Sequence, residues 1–175
     1  MRKIKKNNEQ GGVSMVQVKK VVVFLLVLVL GGMVSVGIAG DVQRIIAVRD
    51  AVGKRVAEVS GEISYRIGKV DNLGSCNAKL AEMRRIALLE TEALLLVNAL
   101  KELDKMVFGI DMLAAVVRSG GKLTEVNYMA SAELYTEVVK NAEDNLMVLV
   151  NCSFCNPESR QLAKKALQVL REEWR

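Results

Sequence analysis

The chain has 175 residues, 51% hydrophobic and 26% charged, with one proline, no histidine and a formal net charge of +5. That charge belongs to residues 1–39, where six lysines and arginines oppose only Glu9; over 40–175 the remaining 19 basic and 19 acidic residues cancel. A neutral body offers no net field to a phosphate backbone, which argues against nucleic acid as a partner. The missing histidine excludes c-type haem attachment, His-based zinc and every Ser-His or Cys-His nucleophile pair.

The chain opens on a leader. Lys19-Lys20 precede the unbroken apolar run VVVFLLVLVL, then the small-residue stretch GGMVSVGIAG, and Asp41 begins a polar sequence. This is the order of a secretory signal peptide over 1–39, with Gly37-Ile38-Ala39 as the small-x-small cleavage site. The alternative is an uncleaved anchor, since residues 21–39 carry no charge and approach the roughly 20 residues that span a bilayer. Three glycines in its second half favour cleavage. Gly11-Gly12-Val13-Ser14-Met15 can be encoded by a purine-rich ribosome-binding sequence before an ATG, so translation is expected to begin at Met15 with a signal of usual length. Both readings export residues 40–175 to the periplasm or the extracellular space; the anchored form would stay in the inner membrane with its body outside the cytoplasm. Contact with a membrane is expected only through 21–39, if uncleaved.

The exported body reads as one all-α domain. Over about 41–70, Ile45, Val48, Val52, Val56, Val59, Ile63, Ile67 and Val70 recur every three or four residues, with an eleven-residue repeat that keeps the stripe on one face of a nearly straight helix. Asp71-Asn72-Leu73-Gly74-Ser75 breaks it. Over about 77–118, Ile86, Leu89, Ala93, Leu96, Leu100, Leu103, Val107, Ile110, Ala114 and Val117 form an uninterrupted heptad seam. Leu94, Leu95, Val97, Met106 and Leu113 widen it, so this helix is expected to be buried among several neighbours. Gly109 is a candidate kink or break, and Ser119-Gly120-Gly121 the end.

Thr124 is the expected cap of a third helix, with either Val126, Ala130 and Leu134 or Tyr135, Val138, Ala142, Leu146 and Leu149 as its inner face. Asn156-Pro157-Glu158 starts a fourth, with Asn at the cap, Pro first and an acid next; Leu162, Ala166, Val169, Leu170 and Trp174 are its stripe. Short connections make neighbours antiparallel. The expectation is an up-down antiparallel bundle of three long helices and one shorter helix.

Cys76, Cys152 and Cys155 are the candidate site residues. Helix parity places the turns that hold them at the same end of the bundle. In an oxidising compartment the simplest chemistry is a structural disulfide, either from Cys76 to Cys152 or Cys155, or between the latter two, with one thiol left over. A Cys76 bridge closes a loop of about 75 residues and adds about 4 kcal/mol in the chain-entropy account. The competing readings are a thiol-redox dithiol and a three-cysteine metal site. Ser153-Phe154 is unlike a thioredoxin-type spacer, no βαβ pattern surrounds the pair, and structural zinc prefers four Cys/His ligands. Among the carboxylates, Glu90 and Glu92 flank Thr91 and point to different sides of a helix, and Glu143-Asp144 and Glu172-Glu173 read as solvated faces. Tyr65, Tyr128, Tyr135 and Phe108 read as packing. No catalytic constellation, metal site or cofactor site emerges.

The order of leader, two long helices, "KLTEVNYMASAELYTEVVKNAEDNL" and a cap-led helix at "NPESRQLAKKALQVL" resembles the helical periplasmic conjugation proteins, the pilus-associated minor subunits of type IV secretion systems. The resemblance covers the layout of most of the exported body. It implies a bacterial, non-enzymatic periplasmic component of a conjugative apparatus, with envelope or secretion-apparatus proteins as partners. It carries no functional residue across, and the paired cysteines depart from the usual pattern. The expectation is therefore an exported helical protein that acts through protein–protein contacts, as a homo-oligomer or with other chains. The alternatives are a thiol-redox or metal-handling protein using Cys76, Cys152 and Cys155, and a membrane-anchored envelope sensor or adaptor.

Overall fold

The computed structural model describes residues 35–118 and 125–174, and the side chains of 42–112, 115 and 135–172. Four helices hold nearly all of them: α1 Ser35–Val70, α2 Cys76–Arg118, α3 Glu125–Asn151 and α4 Pro157–Trp174. Among the described residues there is no strand. α1 packs on α2, α2 on α3, α3 on α4, and α4 returns to α1. The ring is closed by ion pairs, Arg44 Nη2 to Glu172 at 2.6 Å across α1 and α4, and Arg171 Nε to Glu143 at 3.6 Å across α4 and α3.

Local chemistry accounts for the helix ends. Ser75 Oγ accepts the Ala78 N–H at 3.1 Å and so caps α2. The α1–α2 turn is closed by the N–H groups of Asn72 and Leu73 on the carbonyls of Lys69 and Val70. Asn156 Oδ1 accepts the Glu158 N–H at 3.0 Å, which makes Asn156 the cap of α4 with Pro157 in its first position. Residues 1–34 of the 1–39 leader, Ser119-Gly120-Gly121 and the Thr124 cap lie outside the described residues. α1 begins at Ser35 and runs without interruption through the expected cleavage position after Ala39. No helix among the described residues is long and apolar enough to cross a membrane.

The core follows the expected stripes through most of the bundle. Ile45, Val52 and Val59 of α1, Leu96, Leu103, Val107 and Ile110 of α2, Val138, Ala142, Leu146 and Leu149 of α3, and Ala166 and Leu170 of α4 are buried together. On α3 the inner face is thus the one that includes Val138 and Leu146; the side chains of Val126, Tyr128, Ala130 and Leu134 lie outside those described. α2 is continuous through Gly109, which neither kinks into a break nor splits it. A Cβ at Gly109 would stand 3.8 Å from the Tyr135 ring, in ordinary van der Waals contact, so the packing of α3 does not require a glycine at this position.

Two expectations fail, the first because α1 and α2 outrun their neighbours and the second because α2 keeps one side open within the bundle. Ile67, in the α1 stripe, is half exposed, and Leu94 and Val97 of α2 are exposed rather than buried among neighbours. α1 and α2 have 36 and 43 residues, whereas α3 and α4 have 27 and 18. Glu92 of α2 lies level with the α3–α4 turn, where it accepts the Asn156 N–H. From there α2 runs back sixteen residues to Cys76, about 24 Å at 1.5 Å per residue. The α1–α2 hairpin therefore projects past the closed bundle as a two-helix tip, over about 60–91. Its inner seam is Ile63, Ile86 and Leu89, followed by Arg66, which bonds Glu62 and Glu82 at 2.7–2.9 Å.

Candidate functional site

The α3–α4 turn and the two helices it rests on form the densest polar construction among the described residues. Cys152 and Cys155 are joined to each other, S–S 1.97 Å and Cα–Cα 5.4 Å. The Cys155 N–H also points at Cys152 Sγ, at 3.1 Å. Both residues belong to the hydrophobic core, 7% and 2% exposed, and the spacer residue Phe154 turns outward. Cys76 is the free cysteine, exposed at the start of α2. Parity does put the three cysteines at one end, as the sequence implies, but the projecting tip carries Cys76 about 24 Å beyond the other two. Among the described residues no three Cys, Asp or Glu side chains gather closely enough to hold a metal ion.

Immediately after Cys155 the chain meets a buried carboxylate. Glu92, 2% exposed, accepts the Asn156 N–H on Oε2 at 2.8 Å and the hydroxyl of fully buried Ser159 on Oε1. In a capping box the residue three positions into a helix reaches back to the cap N–H. Here Ser159 holds that position, and Glu92 of α2 performs the same service from outside. A negative group at this end also meets the positive pole of α4.

α1 supplies the countercharge. Arg55 Nε donates to Ser159 Oγ at 2.8 Å, its Nη1 to Glu58 at 3.1 Å and Glu158 at 3.0 Å, and its Nη2 lies 3.5 Å from Glu92 Oε1. One arginine thus ties α1 to both α2 and α4. Each oxygen of Glu92 is engaged by a donor of this chain and Ser159 is sealed from solvent, so the cluster is arranged to hold three helices rather than to meet a substrate. Burying this charge is tolerable because it is paired and hydrogen-bonded on both sides. Elsewhere, burial pushes the Tyr135 phenol above its ordinary range. Hydrogen bonding from Arg66 holds the Glu82 carboxyl below the usual 4.5, and Arg44 does the same for Glu172.

Neither Glu92 nor Arg55 nor Ser159 stands out when the sequence is read for catalytic patterns. The signal for Glu92 is positional: it heads a second run of three-four spacing, through Leu96, Ala99, Leu103, Met106 and Ile110, and every member is buried. A charge in register with such a stripe needs a partner inside the fold. Glu90, two residues earlier, is exposed, so the two carboxylates do lie on different sides of the helix.

The fold is an all-α, up-down four-helix bundle with a projecting hairpin, clamped around a disulfide-bonded turn. Comparison with protein-family models, with curated proteins and with solved structures found no match to this chain.

Proposed function

We propose that the protein is a non-enzymatic, exported helical scaffold that acts through protein–protein contacts in the cell envelope. The observation that carries this reading is the projecting hairpin. It extends about 24 Å past its own bundle and displays Tyr65, Ile67, Leu80, Met83 and Leu88 to solvent. Five large apolar side chains left exposed on one extension are more than folding requires, and exposed apolar surface of this kind marks contact surfaces. Export rests on the leader; the disulfide is in keeping with it, because such bonds persist in oxidising compartments. The buried setting of Cys152 and Cys155 speaks against a role in thiol exchange, which needs an accessible sulfur. Within this reading, a part in a conjugative or type IV secretion apparatus is the finer proposal, supported by the layout resemblance alone.

The test is photocrosslinking in the organism's own cells, with a photoreactive residue at Leu80, Met83 or Lys164. Defined envelope-protein adducts from the two tip positions, and not from Lys164 on α4, are expected. No tip adduct, or equal adducts from all three, would contradict a tip-directed scaffold. Deleting the gene should abolish transfer of a conjugative element if the finer proposal holds; undiminished transfer removes it.

A further inference from the structure

α2 is apolar on more sides than the described residues of its own chain cover. Its outward face carries Leu94, Val97, Phe108 and Met112 and the smaller Ala115, all exposed, with Leu94 and Phe108 at 59% and 66%. Together with Lys101, Asp104 and Lys105 these residues fall within a strip about 100° wide, since successive helical residues turn by about 100°. A shallow open groove lined by Val97, Leu100, Lys101, Asp104, Lys105 and Phe108 marks its middle. A surface helix with such a strip has an apolar face in want of a partner.

The strip is nearly palindromic. Lys101 and Phe108 stand three residues outside the pair Asp104-Lys105, Val97 and Met112 seven, and Leu94 and Ala115 ten. A second α2 laid antiparallel across it, with the two-fold axis at Asp104-Lys105, sets each Asp104 opposite a Lys105. Phe108 then meets the stem and ammonium of Lys101, Val97 meets Met112, and the large Leu94 meets the small Ala115. Every layer is complementary and each occurs twice, as a closed two-fold interface requires. A parallel pairing would instead oppose Asp104 to Asp104 and lysine to lysine, which disfavours it. Both central charges are already steadied from within the chain, Lys105 by Glu102 at 2.8 Å and Asp104 by Arg49 at 3.7 Å. Charged layers in an otherwise apolar seam fix register and orientation more than they add affinity.

We propose that this face of α2 is the interface of an antiparallel homodimer. It is a different surface from the projecting tip, and each proposal can fail without the other. In the dimer the two tips point in opposite directions, and the two Cys76 residues lie about 85 Å apart along the helix axis.

The full chain, recovered from the cell envelope in mild detergent, should sediment as a dimer at about 100 µM, where a Kd of about 10 µM leaves most of it paired. Phe108→Lys should weaken dimerisation at least tenfold with the helical circular dichroism unchanged. Asp104→Lys alone and Lys105→Asp alone should each weaken it about tenfold, and the double exchange should restore it. For orientation, Leu94→Cys and Ala115→Cys are made separately in a Cys76→Ser background. Neither should form a disulfide-linked dimer alone, and a mixture of the two should. A monomer at 100 µM, a double exchange that fails to recover pairing, or Leu94→Cys linking to itself would each overturn the proposal.

Discussion

The closed bundle and the projecting tip are made from the same two helices under different constraints. Below the level of Glu92, α1 and α2 are held on further sides by α3 and α4, and their stripe residues Val52, Val59, Leu96, Leu103 and Met106 are almost wholly buried. Above it the two helices have only each other among the described residues, and the seam gives way to half-exposed Ile67 and the Arg66–Glu82 pair. A two-helix seam cannot remove as much apolar surface per residue as a four-helix core, so stability should be distributed unevenly along the same helices. The boundary is a single layer: Arg55 from α1, Glu92 from α2, and Asn156 with Ser159 from α4.

If that layer is what joins the two regions, its loss should have the largest effect. Glu92→Ala leaves the Asn156 N–H and the Ser159 hydroxyl without their acceptor and takes from Arg55 its buried carboxylate neighbour, and removing one partner of a buried charged pair costs about 3–5 kcal/mol. At this chain size that corresponds to a Tm lower by about 10–15 °C, measurable by calorimetry. Glu92→Gln keeps one acceptor oxygen and should lose less. A loss under about 1 kcal/mol for Glu92→Ala would mean that the bundle closes without the clamp.

The disulfide should come next. Its loop spans only a few residues, so the chain-entropy account gives about 2 kcal/mol rather than the roughly 4 kcal/mol expected of a Cys76 bridge. Replacing both Cys152 and Cys155 by serine should lower stability by that amount in denaturant titration, with the tip unaffected. Thiol counting discriminates between pairings directly. The native protein without reductant should show one reactive thiol, at Cys76, and the reduced, unfolded protein three. Loss of the native thiol signal on Cys155→Ser, but not on Cys76→Ser, would contradict the pairing of Cys152 with Cys155.

The smallest effect concerns acid and the tip. Arg66 depresses the folded-state pKa of Glu82, so this carboxylate contributes stability that is present above its ordinary value of 4.5 and is lost as pH falls through the depressed one. Protection of the Ile63 and Ile86 amides, taken against the intrinsic exchange rate at each pH, should therefore fall as the pH drops below the ordinary carboxylate value of 4.5, and Glu82→Gln should remove most of that acid sensitivity. Because the pair is partly solvated, the change should be modest.

Much of the architecture is legible in the sequence. The three-four spacing of hydrophobic residues places all four helices, and Asn156-Pro157-Glu158 places the start of α4, because periodicity and capping are local properties. What is not legible is how far each helix reaches past its neighbours. The α1 stripe continues through Ile67 and Val70 although no third helix among the described residues covers them, since the two-helix seam uses the same spacing as a larger core. That one missing quantity separates Cys76 from the cysteines that parity brings to its end of the bundle. The extra apolar residues Leu94 and Val97 suggest a helix surrounded within its own chain, whereas they lie on its open side. The clamp was hidden for another reason: Glu92 looks like any helical carboxylate until Leu96, Ala99, Leu103 and Met106 are seen to share its stripe.

Native-state hydrogen exchange resolved along α1 and α2 tests the division into bundle and tip most directly. Amides over 60–70 and 77–90 should exchange through local opening at a free energy well below that of 93–110, with the step in protection at Glu92. Uniform protection along the whole of α2, rising to the global unfolding energy on both sides of Glu92, would contradict it.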